Sequence, residues 1–151
     1  MARITFGFRD KLKAVIGGEM HSYCFQCGAC VGDCPAARYS ERFNPRQIML
    51  RCIAGLGEEL LGQDSPIWLC TNCYNCYERC PQDVRPVEVI IALKNLSRAQ
   101  ASVPQKVEAM VNSVRTQGLT VTVTSASERI RSELGLSPVP EVPVDELREL
   151  M

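Results

Sequence analysis

Most apolar positions along this chain recur with a helical period. Ile48, Met49, Cys52, Ile53 and Leu56 fall at i, i+1, i+4, i+5 and i+8, one stripe of an amphipathic helix. Asn44 is a good N-cap for it, Pro45 suits the first helical position, and Gly55 and Gly57 mark its end. Pro86 opens a second helix, whose Val87, Ile90 and Ile91, with Val89, Leu93 and Leu96, form a broad apolar face. Ser65 and Pro66 start a short helix that carries Trp68. Near the N-terminus Phe6, Phe8, Leu12, Val15 and Ile16 precede Gly17-Gly18 and predict a short amphipathic helix, a cover for the following domain or a contact with a neighbour.

The C-terminal third has a different texture. Val103-Pro104 starts a helix with Val107, Met110, Val111 and Val114 on one side, and Gly118 ends it. Leu119 to Val123 alternates as a short strand does, a further helix is expected from Ser127 to Leu134, and Pro138, Pro140 and Pro143 predict an extended segment ending in Asp145 to Leu150. The chain divides accordingly into an amphipathic arm over residues 1–19, a helical domain over 20–97, and a helical and proline-rich segment over 98–151. Nothing in the last segment resembles an active site; it reads equally as a tail packed on the surface and as a docking arm for partner subunits.

At 151 residues there is room for one modest domain and an appendage. An apolar content of 46% with 23% charged residues excludes wholesale disorder. The longest runs without a charge, Met20 to Gly32 and Ser65 to Tyr77, are 13 residues each, short of the roughly 18 of a membrane-spanning helix. The N-terminus, with Arg3, Arg9, Asp10, Lys11 and Lys13, has no apolar signal core, so a cytoplasmic address is expected. Seventeen basic residues balance seventeen acidic ones, which leaves no electrostatic footprint for nucleic acid.

The nine cysteines carry the chemistry. Cys24, Cys27, Cys30 and Cys34, followed by Pro35, spell C-x2-C-x2-C-x3-C-P, and Cys70, Cys73, Cys76 and Cys80, followed by Pro81, spell it again. Without an export signal, thiols are kept reduced and used as ligands rather than as disulfides. Zinc sites pair their ligands two and two, and three thiolates within seven residues fit that pattern poorly. Three thiolates at i, i+3 and i+6 instead wrap three irons of a cube and leave the fourth iron to a cysteine from elsewhere. In two-cluster ferredoxins the fourth cysteine of each run ligates the other cluster. By that rule two [4Fe–4S] clusters are expected, one on Cys24, Cys27, Cys30 and Cys80, the other on Cys70, Cys73, Cys76 and Cys34. The 35 residues between Cys34 and Cys70 read as helical, so the fold expected is all-α: an alpha-helical ferredoxin-like dicluster domain with a helical and extended C-terminal tail.

The two motifs, the Asn44-Pro45-Arg46 helix start, the Trp68-Leu69-Cys70 entry and the Pro86 helix resemble the C subunit of heterodisulfide reductase over about residues 20–136. The cysteine motifs are shared with iron–sulfur subunits of succinate dehydrogenase, glycolate oxidase and anaerobic glycerol-3-phosphate dehydrogenase. The size of the chain favours heterodisulfide reductase. So do the absence of a [2Fe–2S] cysteine set and of the Cys-Cys-Gly segment typical of the catalytic B subunit. The resemblance implies an electron-transfer subunit in a hetero-oligomeric complex: electrons pass from a flavin-containing iron–sulfur A subunit through the two cubanes to the catalytic one. The latter reduces the mixed disulfide of coenzymes M and B, in the setting of methanogenesis. No catalytic residue is expected in this chain. The competing reading is a free ferredoxin-like carrier, or a dicluster subunit of another oxidoreductase, including a homologue acting on other sulfur compounds. A net charge of zero offers a diffusible carrier little steering toward its partners.

Other residues invite a role. Cys52 falls on the apolar stripe and reads as a buried structural thiol. His21 reads as a half-exposed loop histidine, the alternative being a donor to a cluster sulfur. Tyr23, Phe25, Trp68, Tyr74 and Tyr77 crowd the motifs, either excluding water from the clusters or packing as ordinary core. Arg38, Arg42, Arg46 and Arg51 read as a solvated helix face, or as cations that offset cluster charge.

Overall fold

Asn44 caps the central helix as its sequence predicts, its Oδ1 accepting from Gln47 N at 3.1 Å, and Pro45 occupies the first turn, where an N–H has no helical partner. The computed structural model describes residue 4 and residues 6–150, with only the backbone of Phe6, Arg148 and Leu150. Arg3 and the side chain of Phe6, both invoked above, lie outside the described residues. Within these bounds every regular element is helical. The α-helices are α1 (Phe6–Lys13), α2 (Ala29–Gly32), α3 (Pro35–Tyr39), α4 (Pro45–Ile53), α5 (Asn75–Glu78), α6 (Pro86–Ala99), α7 (Gln105–Gln117), α8 (Ser125–Glu133) and α9 (Val144–Leu150), with short 3₁₀ turns at Glu19–Tyr23, Gly57–Leu60 and Pro66–Leu69.

The chain forms two compact units, residues 1–104 and 105–151. In the first, α4 and α6 supply the core: Ile48, Met49 and Cys52 meet Val89, Ile90 and Leu93, all essentially without solvent exposure. Phe43, Leu60, Ile67 and Val84 close it from the connecting turns. Burying side chains of this size stabilises the unit by about 1.5–3 kcal/mol each before chain entropy is subtracted. Phe8 and Leu12 of α1 join the same core and are fully buried. Val15, just past the helix end, still packs against this core, whereas Ile16 is 91% exposed, contrary to its expected place on the buried face. A helix of two turns finishing at Lys13 leaves Ile16 no face to share.

Trp68 is anchored by its indole N–H, which donates to Gly62 O at 2.8 Å, and Ser65 caps its turn by accepting from Ile67 N at 3.3 Å. The broad face of α6 is buried at Val87, Val89, Ile90, Leu93 and Leu96 and half-buried at Ile91, while Ser97 Oγ donates to Ser102 O at 2.7 Å and ties the end of the helix to the strap that carries buried Val103.

In the second unit α7, α8 and α9 bury no side chain fully among the described residues. The strand expected at Leu119–Val123 is absent. Five alternating residues with no partner strand have nothing to satisfy their backbone groups laterally, and the segment is a bend that follows left-handed Gly118 (φ +70). The helix expected from Ser127 begins at Ser125, because Thr124 is the cap, its hydroxyl accepting from Ser127 N at 3.2 Å. The proline-rich stretch is irregular and ends in helical Val144–Leu150, so the final residues are not extended.

Candidate metal centres

The two cysteine loops fold as copies of one another. In each, the residue before the second cysteine and the residue after it take the left-handed conformation: Gln26 (φ 57) and Gly28 (φ 86) in the first, Asn72 (φ 53) and Tyr74 (φ 62) in the second. These reversals curl each loop and let successive cysteines share one side. Tyr74 carries a side chain where its counterpart is glycine, strain of the kind that collects at functional sites. Short helices α2 and α5 follow the loops and pack on one another. Asp33 and Arg79, each directly before the fourth cysteine of its motif, pair at 2.7 Å, and Asn75 Nδ2 donates to Asp33 O at 3.1 Å. The pair is solvent-exposed, so it contributes little stability and serves mainly to register the two loops.

That crossing brings the fourth cysteines to opposite sites. One recess of about 340 Å³, partly open to solvent, is lined by Cys24, Cys27 and Cys30 together with Cys80. A second, of about 310 Å³, is lined by Cys70, Cys73 and Cys76 together with Cys34. Each contains three thiols of one motif and the last thiol of the other. Among the described residues no three His, Cys or carboxylate groups converge as a single bound metal ion requires. The four thiols of each recess line a shared volume instead.

Electrostatics point the same way. Burial, with Cys76 and Cys24 nearby, pushes the Cys30 thiol up to about 12, and burial with Cys70 nearby pushes Cys76 up to about 11. Burial also raises Cys70. Crowded apolar thiols resist ionising until a cation compensates them, and iron supplies that charge as it binds. Donors already face the sulfurs: Gln26 N and Nε2 reach Cys24 Sγ at 3.4 and 3.3 Å, and Val84 N reaches Cys80 Sγ at 3.3 Å. The residues present therefore fit iron–sulfur clusters.

A sequence profile of the 4Fe-4S dicluster domain matches residues 20–84. The chain is 35% identical over 133 residues to the C subunit of the H2:CoB-CoM heterodisulfide,ferredoxin reductase of Methanothermobacter thermautotrophicus, covering 88% of this chain and 70% of that one. It belongs to the family of heterodisulfide reductase C subunits. Similar relatives include the iron-sulfur C subunit of the CoB–CoM heterodisulfide reductase of Methanopyrus kandleri, 34% identical over 78% of this chain and 60% of that one. Another is the C subunit of the ferredoxin:CoB-CoM heterodisulfide reductase of Methanosarcina mazei, 31% identical over 78% of this chain and 71% of that one. As a member of this family the protein is an iron–sulfur electron carrier within an oxidoreductase complex, and its dicluster domain carries two [4Fe–4S] clusters. Among the described residues no helix is long and apolar enough to cross a membrane.

The remaining residues singled out from sequence fare differently. Cys52 is fully buried on α4, away from both recesses, and burial pushes its thiol up to about 12, so it stays protonated and inert. His21 is not half-exposed but fully buried: Nδ1 donates to Gly18 O at 2.8 Å, and Nε2 has no partner among the described residues. The 3₁₀ turn Glu19–Tyr23 points it inward between α1, α4 and α6, a register that loop-like sequence did not reveal. Tyr23 and Phe25 are 60% and 72% exposed, and Phe25 nonetheless lines the first recess. Tyr77 is half-buried, with Arg85 stacked 5.2 Å above its ring. The four arginines are all exposed, yet Arg46 also lines the first recess.

Sequence reading missed Gln26, Lys94 and the Asp33–Arg79 pair. Aligning the two motifs exposes three of these: Gln26 faces Asn72 in the alignment, and Asp33 faces Arg79 with opposite charge. Lys94, half-buried on α6, donates to Cys70 O and Asn72 Oδ1 at 3.1 Å each, and nothing in its local sequence marks it.

Proposed function

We propose that this chain relays electrons from a flavin-containing iron–sulfur partner to a catalytic partner, which reduces the coenzyme M–coenzyme B heterodisulfide. One cluster would be held by Cys24, Cys27, Cys30 and Cys80 and the other by Cys70, Cys73, Cys76 and Cys34. The observation that carries the reading is the composition of the two recesses, three thiols from one loop and the fourth from the other. Interleaved ligands keep two one-electron centres close together within one compact unit. The clusters, when bound, supply one-electron oxidation and reduction. The protein holds their thiolates, directs backbone and side-chain N–H groups at the sulfurs, and keeps the two loops in register through α2, α5 and the Asp33–Arg79 pair.

The chain does no substrate chemistry in this scheme. Eight thiols are taken as ligands, Cys52 is buried, and the only histidine is buried with one nitrogen committed to Gly18 O. Residues 98–151 serve as the docking segment, as supported by exposed Met110, Ile130, Leu134 and Leu136 on and beside helices that bury nothing of their own. The complex is expected in the cytoplasm. The test is reconstitution: the isolated chain, reduced by a low-potential dye under anaerobic conditions, should leave a heterodisulfide unreduced until the catalytic partner is added. Turnover by the chain alone, or none after that partner is added and electrons are supplied, would contradict the relay.

A further inference from the structure

The two loops are alike in backbone, and among the matched positions where their side chains differ, one faces a cluster sulfur in only one loop. Cys24-Phe25-Gln26-Cys27 aligns with Cys70-Thr71-Asn72-Cys73, and Gln26 and Asn72 share the left-handed conformation, with φ 57 and 53. They differ by one methylene, and their amides have different fates. Gln26 reaches back over its own loop: Nε2 donates to Cys24 Sγ at 3.3 Å while the backbone N of the same residue donates to that sulfur at 3.4 Å. Asn72 turns away, its Oδ1 accepting from Lys94 Nζ at 3.1 Å. Gln26 lines the first recess, and Asn72 is not among the residues lining the second.

Which end of the Gln26 amide faces the sulfur follows from chemistry. A ligating cysteine is a thiolate with no proton to give, so it takes the N–H₂ end and would repel the carbonyl oxygen. The oxygen is left buried and without a hydrogen-bond partner among the described residues. Such an orphan is costly, and the donor side of the amide must offset it. Hydrogen bonds to cluster sulfurs spread the extra negative charge of the reduced state and raise the reduction potential.

We infer that Gln26 is a positioning residue that raises the potential of the site formed by Cys24, Cys27, Cys30 and Cys80, acting through the Cys24 sulfur. Asparagine at the matching place denies the other site this donor, so the two steps of the relay are set separately. This rests on the cysteine assignment proposed above. The test uses the full-length, cluster-loaded protein under anaerobic conditions, with iron content measured and both reduction steps followed by potentiometric titration and electron paramagnetic resonance. In Gln26→Met, which keeps length and volume but removes the donor, one couple should move to more negative potential. The equilibrium constant for its reduction should fall roughly tenfold, which is about 59 mV for one electron. The second couple should stay in place.

Gln26→Asn, which withdraws the amide by one methylene, should move the same couple, and Asn72→Gln should leave that couple unmoved. If all variants hold eight irons and neither Gln26 substitution shifts a potential, or both couples shift equally, the inference is overturned while the ligand assignment stands. Loss of iron from both Gln26 variants would give the residue a part in site assembly instead and also overturn it. A wild-type chain without eight irons would mean that the ligand assignment itself had failed.

Discussion

Replacing Gly57 by alanine tests the contact through which the N-terminal helix joins the domain. Gly57 opens a 3₁₀ turn with no left-handed φ, so its backbone suits any residue. On conformational grounds alone alanine would stabilise the fold by about 0.4–1 kcal/mol, because it restricts the unfolded chain. Space decides otherwise. A Cβ at residue 57 would overlap Cε1 and Cζ of Phe8, whose ring is fully buried and cannot swing aside without leaving a void. Overpacking of a filled core costs about 1–3 kcal/mol, which exceeds the gain and leaves a net loss of about 1–2 kcal/mol. For a chain of this length that is a fall in Tm of about 2–8 °C. The assay is thermal unfolding of cluster-loaded protein by far-ultraviolet circular dichroism, at one scan rate, because cluster loss makes unfolding irreversible. Phe8→Leu should lower Tm as well, and the double variant should lose less than the sum of the two, since the smaller side chain makes room for the methyl. A Gly57→Ala protein as stable as wild type, or strict additivity, would refute the packing argument.

Two further outcomes follow from the same structure. Burial lowers the pKa of His21, with Arg9 and Lys13 adding to the effect, so the folded protein binds this proton less readily than the unfolded chain. The stabilising effect of neutral His21 is therefore complete above the unfolded value of about 6.5 and is lost as pH falls from there through the folded value. His21→Gln should flatten the decline of Tm between about pH 7.5 and pH 5.5, the range that brackets that unfolded value, and an unchanged slope would put the pH dependence elsewhere. Deleting residues 105–151 should leave two clusters per chain, because every motif cysteine precedes residue 81 and residues 1–104 form their own compact unit, while weakening capture by partner subunits in a pull-down at moderate salt. Unchanged capture would reduce the segment to packing.

What the sequence disclosed was whatever a local signal encodes. The cap at Asn44, the proline starts at Pro45, Pro66 and Pro86, and the apolar faces of α4 and α6 each depend on a few neighbouring residues, and the structure has them. The cysteine repeat was legible in the spacing alone, and each recess is lined by three thiols of one motif and the fourth of the other. The misreadings lie where tertiary context decides. His21 sits in a polar stretch and is buried only because α1, α4 and α6 close over its turn. Ile16 fits a helical stripe that stops before reaching it. Leu119–Val123 has strand-like alternation and no neighbouring strand. The first compact unit runs to Pro104, with Ser97 bonded to Ser102 and Val103 buried beyond the end of α6.

The interleaving of the two motifs is the central claim, and Cys80→Ser compared with Cys34→Ser tests it most directly. Each anaerobically prepared variant would be examined by electron paramagnetic resonance beside variants of the three-cysteine runs. Cys80→Ser should perturb the signal that Cys24→Ser, Cys27→Ser and Cys30→Ser perturb, and Cys34→Ser the signal governed by Cys70, Cys73 and Cys76. The opposite grouping, with Cys34 disturbing the cluster of its own motif, would contradict the crossing of ligands between the two recesses.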